Sequence, residues 1–290
     1  MITDLDQSAE GVFAAVVARL THMEIPTAVG DAEIILAHAL GLRRADVQSG
    51  ATIGTILTAE QHERIRDFTA RRVDREPLQH LTGRSFFRQL ELFVGPGVFV
   101  PRRETEFVTQ LAIDALRSTR TAHPIAIDLG TGAGAIALSM AVEVPAATVY
   151  GVEISPEAFE WTRRNFAEHA PDNAHPVLGD MTDALGHLDG QVDVVAGNPP
   201  FLPEGMEPMT PEVRLFDPTV SWAAGGDGLL IIRALSKTGL RLLKPGGYLA
   251  FEHGVSQGPR VVELLEKDGW QSVTNHRDPR GEYRVTTARR

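Results

Sequence analysis

The stretch Ile125-Ala126-Ile127-Asp128-Leu129-Gly130-Thr131-Gly132-Ala133-Gly134 decides the fold, because an apolar strand pattern passes through a glycine turn into the apolar helical run of residues 135–142. Glycine permits positive φ angles and lets main-chain N–H donors at a helix start approach a ligand. Dinucleotide sites use the spacing G-x-G-x-x-G, whereas the spacing here is G-x-G-x-G. Alone, the turn indicates either a tight strand–helix connection or a ligand site that is not one for NAD or FAD.

Carboxylates at two further strand ends favour the ligand site. Glu153 closes the apolar segment TVYGVEIS, where nucleotide-binding α/β proteins place a carboxylate that accepts from the ribose hydroxyls. Asp180 closes the segment AHPVLGD, where it can accept from an adenine amino group beside the apolar Met181. Asp128 would hold the glycine loop or face an ammonium group. Each acid alone is typical of a solvated strand end, but the three in order predict an adenosine site.

The apolar segments after residue 120 predict an α/β fold. Five of them, separated by helical or loop sequence, have the rhythm of a doubly wound parallel sheet. They are PIAIDLG, TVYGVEIS, AHPVLGD, VDVVAGNPP and GGYLAFEHG. The last segment, EYRVTTARR, alternates apolar and polar residues as an edge strand does.

The N-terminal part has a helical pattern. Apolar residues recur at three- and four-residue spacing over about residues 10–70, which predicts a bundle of about four helices ending near Val73. Helix starts are predicted at Gly30-Asp31 and at Thr58, whose hydroxyl would cap its helix together with Gln61, three residues on.

Between the two halves, residues 84–100 alternate apolar and polar side chains around Gly95-Pro96-Gly97, which predicts a β-hairpin that turns at those glycines. A helix is predicted from about residue 105 to about residue 120. The sequence therefore divides into a helical domain at 1–73, a linker with the hairpin at 74–104, and an α/β domain at 105–290.

Composition excludes several classes of function. The net charge of -10 opposes non-specific binding to DNA or RNA, and the absence of cysteine excludes disulfides, thiolate zinc sites and a cysteine nucleophile. No pair of histidines has metal-ligand spacing, so no metal is expected, and only His253, next to Glu252, merits a test. The acidic start MITDLDQSAEG and the lack of an apolar run of about 20 residues predict a cytoplasmic protein, neither secreted nor embedded in a membrane.

The segment Asn198-Pro199-Pro200-Phe201 follows the apolar strand pattern of residues 192–196, at the carboxyl edge where open α/β sheets bind ligands. Two prolines after a strand can also do no more than stop it. The Asn198 side-chain oxygen and the Pro199 carbonyl can each accept one N–H of a planar NH2 group, and Phe201 offers an apolar face to a flat acceptor. Such positioning suits methylation of an amide or aromatic amine, whose delocalised lone pair is a poor nucleophile.

Together these segments resemble the bacterial release-factor glutamine methyltransferases (PrmC/HemK), which are class I S-adenosylmethionine-dependent methyltransferases with an Asn-Pro-Pro-Tyr/Phe motif. The resemblance covers nearly the whole chain. It is also carried by REPLQHLTG (75–83), GVFVPRRETE (97–106), ISP (154–156), EVR (212–214), GGDGL (225–229), KPGG (244–247) and EHG (252–254). The chain departs from the family at Phe201, where tyrosine is usual, at Arg103, where proline is usual, and at Glu153, where aspartate is usual.

The resemblance implies a seven-stranded Rossmann-like methyltransferase sheet, and a small N-terminal helical bundle that docks a release factor. It implies methylation of the side-chain amide nitrogen of the glutamine in that factor's Gly-Gly-Gln loop, with S-adenosylmethionine as donor and S-adenosylhomocysteine as product. A monomer without stable nucleic-acid binding is expected. The implied cofactor-binding residues are Asp128, Gly130, Thr131, Gly132, Gly134, Glu153, Ile154, Asp180, Met181 and Asn198. The implied catalytic residues are Asn198, Pro199 and Phe201, and the substrate contacts are Asn198, Pro199, Pro200, Phe201, Arg102 and Glu104.

Three other functions are compatible with parts of this pattern. An adenine-N6 or rRNA methyltransferase shares the acceptor chemistry, but it needs phosphate contacts that a net charge of -10 does not favour. A paralogue that methylates a small molecule agrees with both composition and spacing. A non-catalytic adenosine-binding module is disfavoured, because Asn198 and both prolines are intact.

Overall fold

The computed structural model describes residues 7–169 and 172–290, so the first six residues of the acidic N-terminal stretch lie outside the described part. The chain divides into two compact units. One holds the chain up to Gly83 together with Pro211–Phe216, and the other holds Arg84–Thr210 and Asp217–Arg290. We name them the helical unit and the sheet unit.

Secondary structure alternates regularly only in the sheet unit. The α-helices of the described residues are α1 (Ala9–His22), α2 (Ala28–Leu40), α3 (Arg44–Gln48), α4 (Ala59–Val73), α5 (Leu78–Thr82), α6 (Thr105–Ser118), α7 (Ala135–Glu143), α8 (Pro156–His169), α9 (Pro211–Phe216), α10 (Leu230–Leu242) and α11 (Gly258–Asp268). The strands are β1 (Arg84–Phe87), β2 (Leu90–Phe93), β3 (Ile125–Leu129), β4 (Thr148–Glu153), β5 (Ala174–Leu178), β6 (Val192–Gly197), β7 (Leu243–Glu252), β8 (Gln271–Arg277) and β9 (Tyr283–Arg289). None of the helices in residues 7–169 and 172–290 is long and apolar enough to cross a bilayer.

The helical unit has its own apolar core, built from α1, α2 and α4. Buried side chains such as Leu20, Ile35 and Ile65 recur on one face of each helix and meet in a single cluster. Thr58 caps α4 as predicted: its hydroxyl accepts from the Gln61 N–H at 3.2 Å, and its own N–H donates to the Gln61 side chain at 2.8 Å. The Thr58 cap therefore sets the start of α4, and packing of the apolar face in the core stabilises the helix.

The predicted helix start at Gly30-Asp31 is wrong, since α2 begins two residues earlier, at Ala28. Asp31 is buried and does not cap the helix. Its carboxylate accepts from the Arg72 guanidinium at 2.7 Å, and the same guanidinium donates to Glu212 of α9 at 2.8 Å. Buried charges persist only when they are paired and hydrogen-bonded, so this three-residue cluster joins α2, α4 and α9 inside the helical unit.

The predicted β-hairpin is present, but its predicted turn is wrong. Strands β1 and β2 pair Phe87 with Leu90, so the chain turns at Arg88-Gln89, where Arg88 has a φ of 51°. Turns that need a positive φ usually contain glycine or asparagine. This turn contains neither, so its position could not be recognised from the sequence. Gly95 has a different role, because a Cβ there would lie 2.6 Å from the Trp161 ring.

The sheet unit contains a seven-stranded sheet in the order β5-β4-β3-β6-β7-β9-β8. Strands β3 to β7 are mutually parallel, and all five predicted apolar segments form them. Helices α6 and α7 bury apolar residues on one face, and α10 and α11 bury them on the other. The predicted fold class is confirmed: a Rossmann-like sheet with helices on both faces follows a helical N-terminal region.

The predicted edge strand is wrong. Residues of EYRVTTARR form β9, which is interior and pairs antiparallel with both β7 and β8, and the two edge strands are β5 and β8. Thr286 and Thr287 are buried there, and each hydroxyl lies 2.8 Å from a ring nitrogen, of His253 and His276 respectively. Because these partners satisfy the threonines, an interior strand has the alternating polar pattern of an edge.

Candidate active site

The carboxyl ends of neighbouring parallel strands lie at one edge of the sheet, where the ends of β3 to β6 carry the predicted site residues. Register pairs Asp128 of β3 with Gly151 of β4 and with Ala196 of β6. Glu153 ends β4, and Asn198 follows β6 directly. The strand order thus brings together residues that are far apart in the sequence.

The glycine turn has the backbone shape that its sequence predicts. Gly130, Gly132 and Gly134 have φ angles of 78°, 55° and 89°, in the left-handed region. A Cβ added at Gly130 or Gly132 would meet nothing within 4 Å, whereas at Gly134 it would lie 2.8 Å from the Phe166 ring. The first two glycines therefore border open space, and the third is needed for packing.

Asp128 is fully buried and holds the glycine loop. Its Oδ2 accepts from the Thr131 hydroxyl at 2.6 Å and from the Ala137 N–H at 3.1 Å. Its Oδ1 is buried and has no hydrogen-bond partner in the described residues. Burial raises the pKa of Asp128 to about 7, against the effect of both hydrogen bonds. A buried acceptor without a partner is a place for a ligand's N–H or O–H donor.

Glu153 is also buried, and its two oxygens are oriented by main-chain donors. Oε2 accepts from the Gly132 N–H at 2.8 Å, and Oε1 accepts from the Ser155 N–H at 2.9 Å. Each carboxylate oxygen keeps a further lone pair for another donor. The next residue, Ile154, exposes about half of its surface, so an apolar face adjoins the carboxylate.

Asp180 lies just beyond β5, with an exposed side chain. Its Oδ1 accepts from the Thr182 N–H at 2.9 Å and from the Thr182 hydroxyl at 2.8 Å, and the backbone bond is the main reason that its pKa is lowered. Met181, beside it, is half-buried and packs on the core under β3 and β4. An ionised acceptor and an apolar side chain are therefore adjacent at the third strand end.

Asn198 is half-buried and is linked to two buried residues. Its Nδ2 donates to the Thr105 hydroxyl at 3.2 Å, and that hydroxyl donates to Oε2 of Glu252 at 2.7 Å. Among residues 7–169 and 172–290, none hydrogen-bonds to Asn198 Oδ1. Thr105 begins α6 and Glu252 ends β7.

The residues after Asn198 are held by the chain around them. Pro199 is buried, and Pro200 and Phe201 are half-buried. The Phe201 carbonyl accepts from the Gln257 side chain at 2.8 Å, and a Cβ at Gly228 would lie 2.7 Å from that oxygen. The close approach of the Gly228 main chain, together with the Gln257 hydrogen bond, thus fixes the position of the Phe201 backbone.

Two further predicted residues precede α6. Arg102 donates to the buried carboxylate of Asp217 at 3.0 Å, and its guanidinium lies 5.2 Å from the centre of the Phe99 ring. Burial raises the pKa of Asp217 to about 6, although the Arg102 charge opposes the shift. Glu104, half-buried, is the last residue before α6.

His253 has a structural environment. It is fully buried, with Nδ1 2.9 Å from the Gly254 carbonyl and Nε2 2.8 Å from the Thr286 hydroxyl. Burial lowers its pKa, so the ring is held neutral. Both ring nitrogens are occupied within the protein, which leaves neither for a substrate.

Sequence reasoning missed Thr105 and Glu252 as members of the site. Both lie inside segments that carry the family resemblance, Thr105 in GVFVPRRETE and Glu252 in EHG, whereas the residues predicted from those segments were the neighbouring Glu104 and His253. The available clue was position: a carboxylate that ends a central apolar strand, like Glu153, faces the same sheet edge.

Comparisons with known proteins agree with this arrangement. Residues 89–250 match the family described as Methyltransferase small domain, and residues 12–83 match the PrmC N-terminal domain. The catalytic domain of hMettl16, solved in complex with MAT2A 3'UTR hairpin 6, is similar with a TM-score of 0.52 at 15% identity, over 68% of this chain and 74% of that chain. That likeness shows the fold alone.

Curated relatives are closer in sequence. The 4-amino-L-phenylalanine/4-methylamino-L-phenylalanine methyltransferase of Streptomyces pristinaespiralis is 37% identical over 84% of this chain and 82% of that protein. The release factor glutamine methyltransferase of Streptomyces coelicolor is 44% identical over 94% of each chain. With this identity over nearly the full length, and with both domains matched, the chain belongs to the release factor glutamine methyltransferase family.

Proposed function

We propose that this chain transfers a methyl group from S-adenosylmethionine to the side-chain amide nitrogen of a glutamine, in the Gly-Gly-Gln loop of a peptide chain release factor. One observation carries the proposal. The segment Asn198-Pro199-Pro200-Phe201 follows β6 at the sheet edge that also holds the glycine loop and Glu153. In this proposal, the donor site and the site for the planar NH2 group adjoin each other at that edge.

The residues present fit the cofactor. Glu153 would accept from the ribose hydroxyls, and the open space at Gly130 and Gly132 would admit the amino-acid part close to the backbone. Asp128 Oδ1, buried without a partner, would accept from a cofactor donor such as the ammonium group. We assign the adenine to the faces of Ile154 and Met181, with its amino group on Asp180. Thr131 and Gly134 complete the loop that shapes this site.

The acceptor would be held by main-chain and side-chain oxygens. Asn198 Oδ1 and the Pro199 carbonyl each accept one amide N–H, and Phe201 lies flat against the amide plane. When bound, S-adenosylmethionine supplies a methyl group activated by its sulfonium: the nitrogen lone pair forms the C–N bond, the C–S electrons leave with sulfur, and one amide proton goes to water. Pro200 stiffens the segment, and no protein base is needed.

Other parts of the chain would serve recognition. We propose the helical unit, whose residues 12–83 match the PrmC N-terminal domain, as the docking part for the release factor. Arg102, placed by Asp217, and Glu104 would contact the segment that carries the glutamine. We expect a monomer that acts in the cytoplasm, where release factors work, and that binds neither nucleic acid nor a metal stably.

A second candidate acceptor is the amino group of a small aromatic amine. Phe201 stands where tyrosine is usual in the family, and a relative at 37% identity is named for methylation of 4-amino-L-phenylalanine. An aniline nitrogen has the planarity of an amide, so the same two oxygens could hold it. The aromatic ring of an aniline has no amide carbonyl that would need a hydrogen-bond donor such as a tyrosine hydroxyl. The apolar face of Phe201 is therefore a suitable surface for that ring.

The test incubates the full chain and labelled S-adenosylmethionine with a bacterial release factor, with the same factor carrying Gln→Ala in the Gly-Gly-Gln loop, and with 4-amino-L-phenylalanine. We expect label in the unaltered factor alone. Equal labelling of both factors would refute the assignment of glutamine as the acceptor. Labelling of 4-amino-L-phenylalanine alone would establish the small aromatic amine as the acceptor.

Two variants test the assigned residues. Asn198→Ala should lose most of its methyl transfer and keep a small residual activity, while calorimetry still detects cofactor binding, and unchanged turnover would remove Asn198 from the mechanism. Phe201→Tyr restores the usual family residue, so it should keep transfer to the release factor. If it instead abolishes that transfer, Phe201 belongs to a site adapted to another acceptor.

A further inference from the structure

We infer that Thr105 and Glu252 are positioning residues that hold the Asn198 amide with its oxygen toward the acceptor and its NH2 toward the protein. The inference rests on the proposed role of Asn198 in holding the acceptor. It concerns three side chains of the sheet unit that form one hydrogen-bonded chain, from Asn198 Nδ2 through the Thr105 hydroxyl to Glu252 Oε2.

The donor and acceptor roles in these two hydrogen bonds follow from the protons that each side chain carries. An ionised carboxylate only accepts, so the single Thr105 hydroxyl proton, 2.7 Å from Glu252 Oε2, is donated to that residue. The Thr105 oxygen then has only lone pairs left for Asn198, at 3.2 Å. Only the NH2 branch of the Asn198 amide can donate to them. Oδ1 is therefore the branch that faces away and remains available to accept.

This orientation matters because the two branches of an amide have nearly the same shape but opposite hydrogen-bonding character. With Oδ1 outward, Asn198 accepts an N–H of the acceptor's NH2 group. With the amide reversed, two donors would face each other. The packing of a half-buried side chain does not select between these orientations, so a fixed partner has to do so.

The fold places the partners independently of any ligand. Parallel pairing of β6 with β7 sets Gly197 beside Phe251, so the next residues, Asn198 after β6 and Glu252 at the end of β7, lie at the same level. Thr105 is buried at the start of α6, and its carbonyl accepts from the Thr109 hydroxyl at 2.8 Å. The hydrogen-bonded chain is thus built from a strand end, a strand-end loop and a helix start.

The charge of Glu252 sets the direction. Burial raises its pKa to about 7, and the nearby Glu104 adds to this, while the Thr105 hydroxyl and Arg284 oppose it. Arg284 of β9 lies 3.6 Å from Oε1 and is shared with Asp278 at 3.2 Å. A protonated Glu252 can donate to Thr105, which can then donate to Asn198 Oδ1. Protonation therefore permits the reversed, unproductive amide.

The first experiment compares Thr105→Val, Thr105→Ser and the matched control Thr109→Val, a buried threonine one turn further along α6. At pH 8, with labelled S-adenosylmethionine and the acceptor that the wild type methylates, we expect kcat to fall about tenfold in Thr105→Val, the effect of one lost neutral hydrogen bond. Thr105→Ser and Thr109→Val should keep wild-type kcat, and cofactor affinity should be unchanged in all three. A wild-type kcat in Thr105→Val overturns the inference.

A double-mutant cycle separates positioning from general damage. If Thr105 acts through Asn198, Thr105→Val should lower the residual activity of Asn198→Ala no further. A further loss of about tenfold in that background means that Thr105 acts by another route, and overturns the inference.

Glu252→Gln supplies a variant that keeps size and hydrogen-bonding capacity. Because other titrating groups cancel in the ratio, the kcat of Glu252→Gln relative to wild type should rise about tenfold from pH 8 to pH 6, as the wild type protonates. A ratio that stays constant with pH overturns the role of the Glu252 charge.

A readout without any substrate keeps the inference distinct from the proposed function. The sequence has only four asparagines, so selective 15N labelling and the Asn198→Ala variant identify the Asn198 side-chain NH2 resonance. Its protons should exchange slowly in the wild type and in Thr105→Ser, and faster in Thr105→Val. Identical exchange in all three overturns the positioning role, whereas failure of the release factor to accept label would overturn only the acceptor assignment.

Discussion

Glu252→Gln should make the sheet unit more stable at neutral and alkaline pH, although it removes a carboxylate of the candidate active site. Glu252 is almost fully buried, and its pKa of about 7 lies well above the ordinary value of 4.5. Between those values the folded chain binds a proton that the unfolded chain has released. The stability contributed by Glu252 is therefore fully present below pH 4.5, and is lost as the pH rises through 7.

The magnitude follows from the two pKa values. One pH unit corresponds to about 1.4 kcal/mol, so the full interval amounts to about 3 kcal/mol. Glutamine has nearly the shape of the protonated acid and cannot ionise. Relative to wild type, Glu252→Gln should thus gain about 1 kcal/mol in the free energy of unfolding at pH 5 and about 3 kcal/mol at pH 8.

Denaturant unfolding followed by tryptophan fluorescence measures this directly. The three tryptophans, Trp161, Trp222 and Trp270, all lie in the sheet unit with Glu252, so the helical unit does not contribute to the emission. Glu263→Gln, at an exposed position of α11, is the matched control and should show the same difference at both pH values. If the Glu252→Gln difference is also equal at pH 5 and pH 8, burial does not raise this pKa and the reasoning is refuted.

Two further predictions concern backbone shape and buried charge. Gly134→Ala, with a φ of 89° and a Cβ 2.8 Å from the Phe166 ring, should destabilise the sheet unit by about 2–4 kcal/mol. Gly132→Ala, which has open space around its Cβ, should destabilise it by only about 1–2 kcal/mol but abolish cofactor binding in calorimetry, and equal unfolding midpoints would contradict this contrast. Arg72→Met leaves Asp31 buried without a cation, and leaves Glu212 with Arg75 alone at 3.8 Å, so the helical unit should lose about 3–5 kcal/mol. Hydrogen exchange in α4 and α9 measures that loss, and unchanged protection there would count against it.

Features set by neighbouring residues could be predicted from the sequence. The glycine turn after Asp128 and the Thr58 cap depend on residues within one turn of the chain, and both are present in the structure. The central strands β3 and β6 are buried on both faces, so each is a nearly continuous run of apolar residues that stands out from its surroundings.

Features that depend on tertiary partners could not be predicted. Strand β8 is polar and lies at the edge, so its residues have no pattern to distinguish them from a loop. The Arg88 turn has no glycine, and the Arg88 side chain is held by Glu143, far along the sequence. Likewise, the link from Asn198 through Thr105 to Glu252 spans 147 residues, and its members come together only through the strand register and the packing of α6 on the sheet.

The six-residue helix α9 limits how this protein can be divided or recombined. It belongs to the helical unit through the ion pair of Glu212 with Arg72, although the chain on both sides of it belongs to the sheet unit. A cut after Gly83 would leave Arg72 in the N-terminal fragment with Asp31 as its remaining carboxylate. Glu212 would be in the C-terminal fragment, separated from Arg72. Exchange of helical domains between relatives, in evolution or in the laboratory, must therefore transfer two separate stretches of sequence, and the shorter lies in the loop that follows Asn198-Pro199-Pro200-Phe201.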